Sequence, residues 1–263
     1  MAFLLALIIW LITAVSVWVL AQAKGSMPPT ISGMAREIDA QFFLTLVITG
    51  IVFVLAQGIL GLFVLRYRDR PNARARYVHG NNLVEVGGAV VIGLIFMTLA
   101  VMAQRVWAHL HLSAPVPGAV AVEVTGEQFA LNIRYPGPDG QFGRTSPALY
   151  NPESNPIGIV ADDPAGRDDV VVLNTLAVPV NRPVELRLGS KDVIHSFFMP
   201  QLRIKQDTVP GMRIPLRFTA DQAGQYEIAC AELCGLGHYR MRGFLQVLPE
   251  PEFERWLVEQ KAQ

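Results

Sequence analysis

Three long apolar segments without a charged side chain lie near the start of the chain, and they restrict this region to a membrane. They run from Phe3 to Leu20, from Phe42 to Leu65 and from Val86 to Gln104. Each is long enough, or nearly so, to cross a hydrocarbon core of about 30 Å. They explain why the chain is 51% hydrophobic but only 17% charged.

The charges between the second and third segments predict how the chain crosses the membrane. Five arginines follow the second segment: Arg66, Arg68, Arg70, Arg74 and Arg76. Loops rich in Lys and Arg stay in the cytoplasm. We therefore expect residues 41–107 to form a transmembrane helical hairpin with a cytoplasmic loop. Everything after Trp107 would then lie on the periplasmic side of a bacterial inner membrane.

The first segment, within residues 1–23, allows two interpretations. Ala21, Gln22 and Ala23 follow it and fit the small-x-small pattern of signal-peptide cleavage. The length of the apolar run, and the lack of a Lys or Arg before it, favour a retained transmembrane helix instead. The sequence leaves both interpretations open.

From Ala119 onward, short Val-rich runs alternate with turn residues, which predicts an antiparallel β-sandwich or barrel over residues 119–248. The runs are Ala119–Thr125, Phe129–Arg134, Asp169–Leu173, Val184–Leu188, Leu216–Thr219, Gln225–Ala229 and Gly243–Val247. The Pro- and Gly-rich stretch from Pro136 to Arg167 predicts a long loop. In the tail, residues 249–263, a short helix is expected at Glu252–Gln260.

The zero net charge conceals an asymmetry between the two halves. Up to Leu112 there are 8 Lys and Arg against 4 Asp and Glu, and from Ser113 onward 14 against 18. An acidic soluble half argues against nucleic acid as a partner, because nucleic acids need a basic face. It is compatible with a basic protein partner.

One loop carries side chains that bind soft metals. Cys230, Cys234, His238 and Met241 follow one another at spacings of four, four and three residues. Thiolate, imidazole and thioether together are the ligands of copper electron-transfer sites. A single copper would need only one Cys, so two thiolates on one loop can bridge two coppers.

His195 comes from a separate strand and would complete one copper, while His238 completes the other. Met241 would supply a weak axial contact, and the backbone carbonyl of Glu232 would serve the other copper. Taken singly, the two cysteines could form a disulfide, His195 could be structural and Met241 could fill the core. The combined spacing favours the metal site.

The motif Cys-x-Glu-x-Cys-x-x-x-His-x-x-Met, with Asp-Val-Ile-His-Ser-Phe upstream, resembles subunit II of cytochrome c oxidase. Pro200–Gly211 and His79–Glu85 also resemble that family, and the likeness covers about residues 41–250. It implies a membrane-anchored, cupredoxin-like Greek-key β-sandwich with a periplasmic dinuclear copper centre, CuA. That centre accepts electrons from cytochrome c and passes them to haem in subunit I, where oxygen is reduced to water with proton pumping.

The resemblance also implies roles for individual residues. The two coppers would be held by His195, Cys230, Glu232, Cys234, His238 and Met241. The Glu232 side chain would reach a magnesium ion shared with subunit I, and Glu85 would lie on a proton-uptake path. Phe129 stands where the family has the tryptophan that receives electrons, which suggests a modified donor, such as a membrane-bound cytochrome c domain of a partner complex.

The donor must be a separate chain, because no Cys-x-x-Cys-His motif for haem attachment occurs. Acidic residues around the long loop could attract a basic cytochrome c. They are Asp139, Glu153, Asp162, Asp163, Asp168 and Asp169.

Three other functions are weighed on sequence grounds. A nitric oxide reductase can use a CuA subunit of this shape, and a membrane-tethered cupredoxin could shuttle electrons alone. Glu85 and Glu232 argue against the shuttle, since both would meet a subunit I. A quinol oxidase subunit would lack the copper ligands, which are complete in this chain.

Overall fold

The computed structural model describes the chain except residues 24, 72, 73, 75, 76, 78, 113, 115, 262 and 263, and the side chains of residues 23, 109 and 110. Arg76 of the predicted cytoplasmic cluster, and parts of the loops on either side of the third helix, therefore lie outside the described residues. The chain forms two compact units. One contains Met1–Pro28 and Asp39–Arg105, and the other contains Pro29–Ile38 and Val106–Gln263.

Three helices in the described part of the chain are long and apolar enough to cross a membrane. They are α1 (Ala2–Ala23), α2 (Gly33–Arg66) and α3 (Asn82–Leu112). Asn81 begins α3 by accepting a hydrogen bond from the Leu83 backbone N–H at 3.0 Å, as an N-cap residue does. The prediction of a membrane-anchoring N-terminal region is confirmed.

In the part of the chain that the structure describes, ten strands form two five-stranded sheets, with orders β3-β2-β1-β5-β8 and β4-β10-β9-β6-β7. The strands are β1 (Val120–Glu127), β2 (Ala130–Tyr135), β3 (Val170–Leu173), β4 (Thr175–Pro179), β5 (Pro183–Ser190), β6 (His195–Met199), β7 (Ile204–Thr208), β8 (Ile214–Thr219), β9 (Gly224–Cys230) and β10 (Arg242–Leu248). The predicted β-sandwich is confirmed. It is not antiparallel throughout, because β1 pairs with β5, and β10 with β4, in parallel. These strands are not consecutive, so no hairpin forces them to run in opposite directions.

Three strands lie outside the predicted runs, β4, β6 and β7, although His195, the first residue of β6, was expected to come from a separate strand. The strand β4 was hidden because only Asn174 separates it from β3, although the two strands lie in different sheets. Asn174 adopts a left-handed conformation (φ 56°). Its side-chain oxygen accepts from the Leu131 N–H at 2.8 Å, and its carbonyl accepts from the Phe244 N–H at 2.8 Å. It thus joins the two sheets at a corner.

The core lies between the sheets and follows the alternation of side chains along the strands. On β5, for example, Val184, Leu186 and Leu188 are buried. The helix α4 (Glu250–Lys261) contains the segment predicted to be helical. It buries Phe253, and Trp256 meets the ring of Tyr135 edge-on at 5.5 Å.

The segment before and at the start of α2 is built into the sandwich unit. Ile31 is buried in the sandwich core. Its N–H donates to the Gln201 carbonyl at 3.1 Å, and its carbonyl accepts from the Asp221 N–H at 2.8 Å. Arg36 also pairs with Asp221 at 2.6 Å. Pro29–Ile38 therefore acts as a strap on the β domain.

A buried ion network fastens the long loop to the first sheet. The Arg134 guanidinium contacts Glu123 at 3.0 Å and pairs with Asp169, whose side chain is 0% exposed. It also donates to the Gly143 carbonyl at 2.6 Å. Asp169 in turn accepts from the Gly143 N–H at 3.1 Å. Because Asp169 is enclosed, it is not accessible to a docking protein, contrary to its inclusion in the acidic set above.

We expect Asp169→Ala to lower the free energy of unfolding of the sandwich by about 3–5 kcal/mol, since it leaves part of a buried charge without a partner. Chemical unfolding of the full chain in detergent measures the change. The exposed Asp162→Ala is the control and should stay within about 0.5 kcal/mol of the parent. Equal stabilities for both variants would contradict a structural role for the network.

Candidate metal centre

The side chains that could bind a metal meet where β6 lies beside β9. The two strands pair with Phe197 opposite Cys230 and Phe198 opposite Ala229. Because β6 begins at His195, this pairing brings the imidazole to the loop that follows β9. The Cys230 N–H donates to the Met241 carbonyl at 3.2 Å, which closes the loop on itself.

Distances within the cluster fit shared metal ligands rather than a disulfide. One ligand atom from each of His195, Cys230 and Cys234 lies within 4.8 Å of the others. The two sulfurs are 3.8 Å apart and both thiols are free, whereas a disulfide needs about 2.05 Å. Cys234 Sγ also lies 3.6 Å from His238 Nδ1 and 3.7 Å from Met241 Sδ.

The donor set and one unpaired atom fit copper. Among the described residues, Nδ1 of His195 is buried without a hydrogen-bond partner, and a bound metal would satisfy it. A metal–sulfur bond is about 2.3 Å, so two sulfurs closer than about 4.6 Å can share one metal. Two thiols, two imidazoles and a thioether form a soft donor set that suits copper.

The protonation of Cys234 follows from its surroundings. Burial, together with the neighbouring Cys230 thiol, raises the pKa of the Cys234 thiol to about 11. Metals bind the thiolate, so metal binding at this position releases a proton.

Asp192 supports His195 through Nε2, and Nδ1 is the ring nitrogen left without a partner in the part of the chain that the structure describes. The Asp192 Oδ1 lies 2.8 Å from His195 Nε2, and the Asp192 Oδ2 accepts from the Gln128 N–H at 2.7 Å. The Val193 N–H adds a third contact at 2.6 Å. Burial raises the pKa of the Asp192 carboxyl, but these hydrogen bonds outweigh burial and leave the pKa below its usual value. A carboxylate in this position fixes the ring orientation of a ligand histidine.

The segment Gln128–Phe129 rests directly on the cysteine loop. The Gln128 side-chain N–H donates to the Cys234 carbonyl at 2.6 Å. A Cβ at Gly237 would lie 2.5 Å from the Phe129 ring, and one at Gly235 would lie 3.1 Å from it. Only glycine permits this close approach, so the aromatic ring lies against the backbone that carries the metal ligands.

Five of the predicted site residues form a cluster of side chains, and the other two are Glu232 and Glu85. The structure brings together the ligand side chains His195, Cys230, Cys234, His238 and Met241. Glu232 adds its carbonyl, 3.2 Å from Cys230 Sγ, while its side chain is exposed. Glu85 lies in the first turn of α3, where a negative charge is favourable to the helix.

The sequence analysis missed two residues that hold the proposed ligands in place, Asp192 and Gln128. Asp192 lies three residues before His195, and this spacing was its only local signal. Gln128 had no local signal, because its partners come from β6 and from the distant cysteine loop.

The fold and the cluster define a class: a membrane-anchored β-sandwich protein with a sulfur-rich metal centre. The sequence profile of the "Cytochrome C oxidase subunit II, periplasmic domain" family matches residues 162–247, which contain the whole cluster. The "Alternative cytochrome c oxidase subunit 2" of Bradyrhizobium diazoefficiens is 36% identical over 226 residues, covering 86% of this chain and 80% of that protein. The chain belongs to the cytochrome c oxidase subunit II family.

Two further similarities accompany these matches. The "Cytochrome c oxidase subunit 2" of a Synechocystis species is 30% identical over 269 residues, covering 94% of this chain and 79% of that protein. The crystal structure of the periplasmic domain of subunit II of cytochrome oxidase of Bradyrhizobium japonicum is 27% identical, with a TM-score of 0.41. That similarity covers 56% of this chain and 98% of the solved one.

We expect Asp192→Ala to weaken copper binding by about 10- to 100-fold, because the His195 ring loses the group that orients it. Competition with a chelator on the copper-loaded full chain measures this. Glu185→Gln is the control, since that carboxylate lies in the other sheet and pairs with Arg217 at 3.4 Å. An Asp192→Ala affinity equal to that of the control would contradict the positioning role.

Proposed function

We propose that this chain accepts electrons for a haem-copper oxidase, through two copper ions held on its β-sandwich. The observation that carries the proposal is the convergence of soft donors around Cys234, together with the unpaired Nδ1 of His195. The ligands would be His195, Cys230, the carbonyl of Glu232, Cys234, His238 and Met241. The proposed copper domain spans residues 119–248, anchored by the hairpin 41–107.

The number of sulfurs supports two coppers rather than one. A mononuclear copper electron-transfer site uses one Cys, whereas Cys230 and Cys234 offer two sulfurs 3.8 Å apart. Both sulfurs would therefore help to hold the copper ions. When bound, the copper pair would take one electron at a time and hold it in a shared state.

The residues of this chain would keep the ligands in one arrangement for both redox states. Asp192 holds the His195 ring, and Gln128 holds the Cys234 carbonyl. Both lie in short turns that join strands of the packed sandwich, and such rigid strands are the kind of support that precise metal sites need. Because the ligands would then move little when an electron arrives, the barrier to electron transfer would be small.

Phe129 is the proposed point at which electrons arrive. Its ring lies against Gly235 and Gly237 of the ligand loop. The donor would be a cytochrome c, or a cytochrome c domain of a partner complex. The negative charges that could attract this donor are those of Asp139, Glu153, Asp162, Asp163 and Asp168. Asp169 is excluded because its side chain is buried.

The catalytic subunit I is the proposed recipient of the electrons, and oxygen reduction with proton pumping would occur there. We propose that the exposed side chain of Glu232 reaches a magnesium ion shared with that subunit. Glu85 would take part in proton uptake at the other side of the membrane. The location that follows is a bacterial inner membrane with the sandwich in the periplasm.

The native complex, purified through this chain and supplied with reduced cytochrome c, tests the proposal. We expect oxygen uptake that cyanide blocks, because the electrons would end at haem and copper in subunit I. Consumption of oxygen and of nitric oxide is followed side by side. Nitric oxide uptake with little oxygen turnover would assign a reductase, and a chain that purifies alone and consumes neither would be a shuttle.

The Phe129→Trp variant tests the point of electron uptake in the same assay. A larger aromatic ring with an indole N–H should change the rate of electron transfer from at least one donor. Phe142→Trp serves as the matched control, because Phe142 lies on the long loop beside Arg134. Unchanged rates from every donor would remove Phe129 from the pathway.

A further inference from the structure

The least exposed residues of α1 form a regular stripe. They are Ala2, Ala6, Ile9, Thr13 and Ser16. Their spacing of four, three, four and three residues is that of a helix packed along one seam. Four of the five have small side chains, which let helix backbones approach closely in a membrane. Ala6 and Thr13 are only 1% and 8% exposed.

The helix α2 offers a matching surface in the same unit. Gly61 is buried, and Gln57, Gly58, Val64 and Leu65 around it are partly covered. A Cβ at Gly61 would lie 2.6 Å from Cε2 of Trp10. Glycine at this position therefore forms a notch into which the Trp10 indole fits, and any larger residue would displace the indole.

A second contact lies near the ends of the two helices. The Arg68 guanidinium lies 4.5 Å from the centroid of the Phe3 ring, within the range of a cation–π interaction. Because Arg68 follows the end of α2 and Phe3 lies at the start of α1, the two helices run in opposite directions. The start of α1 therefore lies on the same side as the arginine cluster. A membrane-spanning helix that directly precedes α2 has to begin on that side, because α2 ends there.

The small-x-small sequence at Ala21 to Ala23 forms the last three residues of α1. The helix α1 continues through Ala23, whereas proteolytic cleavage favours exposed, irregular segments. The 22 residues of α1 span about 33 Å at 1.5 Å per residue, which matches the hydrocarbon core. The apolar part of a signal peptide needs only about 7–15 residues.

We propose that residues 1–23 stay in the mature protein as a third transmembrane helix, docked on α2 through the Trp10–Gly61 and Phe3–Arg68 contacts. A cleaved signal needs hydrophobicity alone, whereas α1 carries a small-residue seam, a tryptophan that fits a notch on α2 and an aromatic partner for Arg68. The docked helix is an interaction surface within the chain and is independent of the copper centre.

Intact mass of the full chain, purified from its native membranes through a C-terminal tag, tests retention. A retained helix gives a mass that includes the residues of α1, and sequencing of the N-terminal peptide then finds Phe3–Leu20 in the purified chain. A chain that begins at Lys24 would overturn the proposal, whatever metal it binds.

Substitution of the notch tests docking. We expect Gly61→Leu to lower the thermal midpoint of the full chain in detergent, and the added Trp10→Ala change to restore part of the loss by making room for the leucine. Gly50→Leu is the matched control, because a Cβ at Gly50 would meet nothing within 4 Å. Equal midpoints for Gly61→Leu and Gly50→Leu, or no rescue by Trp10→Ala, would overturn the docked arrangement.

Discussion

The pairing of β6 with β9 is the interaction on which the metal centre depends. Two residue pairs, Phe197 with Cys230 and Phe198 with Ala229, fix the register between these strands. A shift of one residue would turn His195 to the opposite face of the sheet. The core between the sheets, to which β6 contributes Phe197 and Met199, resists such a shift, so the stability of the sandwich and the geometry of the cluster have the same origin.

A small polar network connects the proposed ligands to the exposed residue Gln128. The Asp192 carboxylate joins the imidazole of His195 to the backbone of Gln128, and the Gln128 amide continues to the Cys234 carbonyl. Phe129 is connected to this network through Gln128, the residue before it in the chain. A perturbation at the aromatic ring is therefore expected to reach the ligand loop, because the ring packs against Gly235 and Gly237 and the adjacent Gln128 donates to the Cys234 carbonyl.

The sequence predicted local features well and long-range ones poorly. Four proposed ligands could be read from one loop because their spacing is visible in the linear sequence, and apolar length predicted the helices that could cross a membrane. The corner at Asn174, the burial of Ile31 and the Arg134–Asp169 pair depend on residues distant in the chain. No local pattern encodes them, and for that reason β4 was missed and Asp169 was assigned to an exposed acidic set.

The most direct test of the account is the copper content and paramagnetic resonance spectrum of the full chain after loading with copper. The convergence of two thiols on one loop predicts two coppers per chain, with one unpaired electron shared over both nuclei. Replacing Cys234 by serine should abolish the shared signal. One copper per chain, or an electron localised on a single nucleus, would contradict the dinuclear centre.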